Sequence, residues 1–184
     1  MKMKKRKGSL EIFIASVILT LVPLMIVTSL KLREIKVTSN LVEDGLVASN
    51  LAAATIDLKE YGTTKNIINT DHTKSFNDFE DALKVNLKLD DNFEPKNKRL
   101  ISSRVNIEKF TIYNVVGNNI QVVSRNTDGS FETTMINNGF GSYKTPDGVL
   151  IKTTTIYSRI SFKVKGLLGA EYDVFKQKSV DISN

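Results

Sequence analysis

The chain has 184 residues, no cysteine, no tryptophan, one histidine and a formal charge of +6. The missing cysteines exclude disulfides, thiolate metal sites and a cysteine nucleophile. Five of the positive charges are Lys2, Lys4, Lys5, Arg6 and Lys7; removing these five from 26 basic residues leaves 21 against 20 acidic ones, so a pI near 9.4 does not describe a nucleic-acid-binding surface.

Directly after this basic leader and Glu11 comes Ile12–Leu30, IFIASVILTLVPLMIVTSL, without a single charge. At about 1.5 Å per residue a helix of this length covers roughly 28 Å, the thickness of a bilayer's hydrocarbon core. The remaining chain is too small and too polar to surround a helix that is apolar on every side. Pro23 is tolerated in such a span and predicts at most a kink. The charge excess on the N-terminal flank predicts that the leader is cytoplasmic and that residues beyond about 37 lie outside. A cleaved secretory signal fits less well, because the apolar run is too long and no small-x-small site closes it.

From Leu32 to Tyr61 there is no proline, and Gly45 is the one interior glycine. Ile35, Thr38, Leu41, Val42, Gly45, Leu46, Ser49, Ala52, Ala53 and Ile56 recur at helical spacing, which predicts that the helix continues out of the bilayer until Gly62 stops it. A fresh start capped by Ser39 or Asn40, with Glu43 after it, is the alternative. Leu46, Leu51, Ala52 and Ile56, or their helical neighbours, are expected to stabilise the head. Ala15 and Ser16, with Glu11, are expected to contact a partner helix through close packing of small side chains.

Ser75-x-x-Asp78 predicts the start of a short second helix with Phe76, Phe79, Leu83 and Leu87 on one side. A mixed-charge loop follows from Asp90 to Arg99. Strand character begins after Ser102: Val105–Val116, a turn at Gly117-Asn118-Asn119, Ile120–Arg125, a hairpin signal at Asp128-Gly129, and Phe131–Ile136. Asn137–Gly148 reads as an exposed loop and Val149–Val164 as one long strand or two joined ones. Within it Ile156, Ser158, Ile160, Phe162 and Val164 form a buried face, and Tyr157, Arg159, Ser161 and Lys163 a wet one. Tyr172–Val180 is the last strand. The fold class is therefore α+β: a long N-terminal membrane-spanning helix continuing into an extracellular head with a short second helix and an antiparallel β-sheet. The expected organisation is a basic cytoplasmic leader (1–8), the span (9–31), the helix extension (32–62) and the head domain (63–184).

No stretch carries recognisable chemistry. His72 stands alone in a polar loop. Asp90-Asp91 are adjacent and point apart, and Asn126-Thr-Asp-Gly-Ser-Phe-Glu132 is explained by its turn. No nucleotide-binding, zinc-protease or nucleophile-elbow motif is present. No catalytic residue, cofactor, metal, nucleic acid or small-molecule substrate is expected. Glu11 is the one residue out of place: a carboxylate at the hydrocarbon edge either reaches the headgroups or meets a cation.

The leader ending in Gly8, followed by Ser9-Leu10-Glu11 and the apolar run, resembles the class-III signal of type IV pilin-like proteins. Val42–Ala54, Ile56–Gly62, Phe79–Leu89 and Ile156–Phe162 are similar to TadE-type pseudopilins of tight-adherence (Flp-type) pilus systems in clostridium-like bacteria. The resemblance implies a pilin-like fold and cutting by a prepilin peptidase between Gly8 and Ser9. It also implies pairing of Glu11 with a neighbouring subunit's amine, and partners among pilus or secretion-machine subunits besides membrane lipid. Such a cut would make Glu11 the third residue of the mature chain and Phe13 the fifth, whereas the family pattern has glutamate fifth. The expected role is thus a minor subunit or assembly factor. A membrane-anchored surface domain unrelated to pili, or an accessory subunit of a secretion or competence complex, stays open as the alternative.

Overall fold

A computed structural model describes residues 8–64, 67–98, 101–166 and 169–182; the leader Lys2–Lys7 lies outside the described residues. One unbroken helix, α1 (Gly8–Ala52), contains Pro23 and runs from the apolar stretch into the head. α2 (Leu58–Thr64) is short, and α3 (His72–Asn86) packs beside the upper part of α1. Five strands follow: β1 (Asn106–Val116), β2 (Asn119–Arg125), β3 (Phe131–Ile136), β4 (Thr155–Lys165) and β5 (Glu171–Asp181). They form one antiparallel sheet in the order β3-β2-β1-β4-β5. This is the expected α+β class, with the long apolar helix, the short helix of fifteen residues and the antiparallel sheet in place.

α1 changes character along its length because its sequence does. Every large apolar side chain from Leu10 to Leu32 is exposed. From Thr38 on, a stripe turns inward: Thr38, Val42, Gly45, Leu46, Ser49, Asn50 and Ala53 are buried. These spacings of three and four keep one face against the head. Leu46 and the partly buried Ile56 join the core as expected, but Leu51 and Ala52 are exposed and Ala53 takes the inward position.

The helix also stops ten residues before Gly62. Two side chains capture the carbonyl of Ala53, which leads out of the last turn: Ser75 Oγ donates to it at 2.5 Å and Asn69 Nδ2 at 3.2 Å. The chain turns there without a glycine. Gly62 instead lies inside α2, whose first turn is capped by Asp57, with Oδ1 accepting from Lys59 N and Glu60 N. Ser75 was expected to start the second helix. Asp71 caps it instead, its Oδ1 accepting from Lys74 N at 2.9 Å, so that Ser75 is free for Ala53.

The core lies between α1, α3 and one face of the sheet. Val42 and Leu46 of α1 and Phe76, Phe79, Leu83 and Leu87 of α3 meet Phe110, Ile112, Ile156, Ile160 and Phe162. Phe76 and Phe79 contact the Phe110 ring at centroid distances of 5.2 and 5.1 Å. The opposite face is less wet than its alternation predicts. Tyr113, Ile120 and Tyr157 form a second buried cluster with Ile151 of the segment 137–154, which lies across the sheet and is not a strand. Lys163 is exposed as expected of the wet face.

Candidate membrane and partner interface

The lower half of α1 presents apolar side chains on all sides, and the hydroxyls of Thr20 and Thr28 are satisfied within the helix. Thr20 Oγ1 donates to the carbonyls of Ser16 and Val17, both at 3.0 Å, and Thr28 Oγ1 to that of Leu24 at 2.8 Å. Pro23 leaves the Leu19 carbonyl without its usual partner, the single gap the sequence makes in the ladder. Among the described residues there is thus one helix long and apolar enough to cross a membrane, with none of its most apolar window buried in the protein.

Gly8 and Ser9 are the first two residues of this helix. Glu11 lies in the first turn, where the helix dipole favours negative charge, and is exposed. Ala15 follows Glu11 by four residues and stands on the same face, with Ser16 beside it; both are exposed. Glu11 and Ala15 therefore share one face that no part of the described chain covers, and Ser16 opens the next face about 100° further round. The small residues offer a close approach to another helix, and the carboxylate needs a cation or the headgroup layer.

The upper half of α1 is held by polar contacts that sequence reasoning missed. Asn50, fully buried, donates from Nδ2 to the Lys178 carbonyl at 2.9 Å and accepts at Oδ1 from Ser158 Oγ at 2.7 Å. Asn69 and Asn114 tie the α1–α3 turn to β1: Asn69 N donates to Asn114 Oδ1 at 2.8 Å and Asn114 Nδ2 to the Asn69 carbonyl at 2.9 Å. Glu43 receives Lys178 Nζ at 2.7 Å and Lys176 Nζ at 3.5 Å. The Lys178 hydrogen bond, followed by the charges of both lysines, holds the Glu43 carboxyl below its ordinary value; the same contact raises Lys178. The available signal was a polar residue, Asn50, at the phase of an otherwise apolar stripe, four residues after Leu46.

The residues weighed for metal or catalytic chemistry have structural roles. His72 packs on Phe131 at 5.8 Å. Asp90 Oδ1 accepts from Asn92 N and Glu94 N, both at 2.9 Å, closing its own loop. Asp128 accepts from Ser130 N and Ser130 Oγ within the hairpin turn, which lowers its carboxyl below the usual range. Among the described residues no three histidine or acidic side chains come together as a metal site. Burial pushes the Tyr113 phenol up, with Tyr143, Tyr157 and Asp147 adding to the shift. No family model, no curated protein and no solved structure matches the chain.

Proposed function

We propose that the protein is a non-enzymatic, membrane-anchored pilin-like component of the TadE type, a minor subunit or assembly factor of a tight-adherence pilus. The observation that carries this reading is the single helix from Gly8 to Ala52, bare and apolar below, packed on a β-sheet above. A helix of this design delivers a folded head at a fixed height above the membrane while offering its lower part to neighbours in the bilayer. In this reading the five leader cations hold the N-terminus in the cytoplasm and the head lies outside. A prepilin peptidase is the enzyme that would cut between Gly8 and Ser9. Glu11, Ala15 and Ser16 meet the helices of other pilus subunits.

Three measurements test this. Protease added to wall-stripped cells degrades the head and spares the leader; a protected head refutes the topology. The intact mass of the purified protein shows whether residues 1–8 are lost, and a chain that keeps them beside an active prepilin peptidase serves uncleaved. Ala15→Leu together with Glu11→Gln abolishes cross-links between membrane helices while the head stays folded. Unchanged cross-links would reduce the helix to an anchor and favour the unrelated surface domain.

A further inference from the structure

Where α1 leaves the apolar run, it and the C-terminal end of α3 enclose a groove of about 500 Å³. Val37, Leu41, Leu87 and Ile101 give it apolar walls, and Arg33 and Lys88 are the cations that line it. Val37 is 64% exposed and Leu41 49%, so large apolar surface continues past the end of the span at Leu30. Arg33 lies about 4.5 Å along the helix from Leu30 and Leu41 about 16 Å. The headgroup layer is roughly 5–8 Å deep on each side, so the lower mouth of the groove opens at headgroup level.

The charges around the groove do not cancel. Glu34, which also lines it, is engaged by Lys31 Nζ at 2.8 Å, and Glu94 by Lys98 Nζ at 3.3 Å. Arg33, Lys88 and Lys96 are exposed and enter no ion pair among the described residues. Lys96 is brought beside Lys88 by a backbone hydrogen bond of 3.0 Å to its carbonyl. Lys88 also occupies a position that favours glycine. It follows α3 at φ +55°, with Lys88 N on the Val85 carbonyl and Leu89 N on that of Lys84, the two bonds of a Schellman stop. A lysine there accepts backbone strain and puts a cation where glycine would leave none.

We infer that this groove docks an anionic phospholipid of the leaflet on which the head sits. Its phosphate lies between Arg33 and Lys88, its headgroup points up the groove past Val37, and its acyl chains run down beside Leu30 and the apolar run below it. The inference rests on the reading of α1 as a membrane anchor, which holds the groove continuously against the lipid surface. Continuity with the span and the uncancelled positive charge favour lipid over a protein occupant. The occupied groove would fix the head's rotation relative to the bilayer.

The test uses the full chain in mild detergent, with phosphatidylglycerol or phosphatidylcholine added and retained lipid counted by native mass spectrometry. Wild type is expected to retain phosphatidylglycerol preferentially. Arg33→Gln with Lys88→Gln should lower that preference by about 25-fold, about 5-fold for each cation at a membrane surface. Lys144→Gln with Lys152→Gln, on the segment over the opposite sheet face, should leave it unchanged. Equal retention of both lipids by wild type, or an unchanged preference in the groove variant, overturns the inference. Flotation on vesicles of either lipid separates the two readings: a chain that floats on both without preference fails only as a lipid-docking protein, whereas one that floats on neither also fails as an anchor. Because the chain has no native cysteine, Val37→Cys reports on the competing occupant. Disulfide-linked dimers that persist as phosphatidylglycerol is added would assign the groove to a second copy and overturn the inference, whereas their loss would support it.

Discussion

Asn50→Leu tests how the sheet is fastened to the helix that carries it. The replacement keeps the branching of the side chain, with added bulk, and removes both of its hydrogen bonds. It strands the Ser158 hydroxyl, fully buried, and takes one donor from the Lys178 carbonyl. An unsatisfied buried polar group costs about 1–3 kcal/mol, so two such losses should destabilise the head by about 3 kcal/mol. For a domain of this size that corresponds to about 9 °C in Tm. Adding Ser158→Ala removes one stranded group and should recover about 1–2 kcal/mol, a coupling that independent sites would not show. Urea unfolding of the full chain in mild detergent, followed by the fluorescence of the buried Tyr113 and Tyr157, measures all three variants. A cost below about 1 kcal/mol, or a double variant equal to the sum of the singles, would refute the view that Asn50 is the fastening.

Gly45 lets α3 approach α1: a Cβ there would lie 2.7 Å from Leu87 Cδ2, the movable end of a side chain. Gly45→Ala should therefore be near neutral in thermal melts, the shift of Leu87 offsetting a helix-propensity gain of about 1 kcal/mol, whereas Gly45→Leu should cost about 3 kcal/mol by overpacking. Lys88→Gly should relieve the left-handed backbone and stabilise the head by about 1 kcal/mol while weakening anionic-lipid retention, so that melts and lipid counts move in opposite directions. Glu43 is lowered in the folded state, so its contribution is complete above the ordinary glutamate value of about 4.3 and is lost as pH falls through the depressed folded value. Lys178 is raised, so its share is complete below about 10.4 and is lost as pH rises through the folded value. Glu43→Gln should flatten both limbs in urea titrations across pH.

The elements whose period comes from local sequence were legible. The apolar run, the Phe76–Leu83 face and the alternation of β4 from Ile156 to Val164 each report their own environment within a few residues. What escaped depends on distant partners. The stop of α1 at Ala52 is made by Asn69 and Ser75, which lie across an intervening loop, and Gly62 was the only local punctuation in view. Tyr157 alternates as a solvent-facing residue should, yet Ile151 and the segment around it cover that face. Of the candidate site, the exposure of Glu11, Ala15 and Ser16 could be read in advance because it depends on one helix alone. The groove beside Arg33 was not, because Lys88 and Ile101 reach it only after the head has folded.

α1 has neither glycine nor proline between Leu30 and Thr38, where the span gives way to the part buried in the head. A continuous helix there acts as a drive shaft. Each residue along it corresponds to about 100° of rotation and about 1.5 Å of rise. One residue inserted after Lys31 would swing the sheet about a quarter-turn around the membrane normal and change the direction in which every strand points. Four would return it almost to its original bearing, about 6 Å higher. Any twist applied to the helix by a neighbour within the bilayer would arrive at the sheet without a joint to absorb it, so the head's compass bearing is set from below.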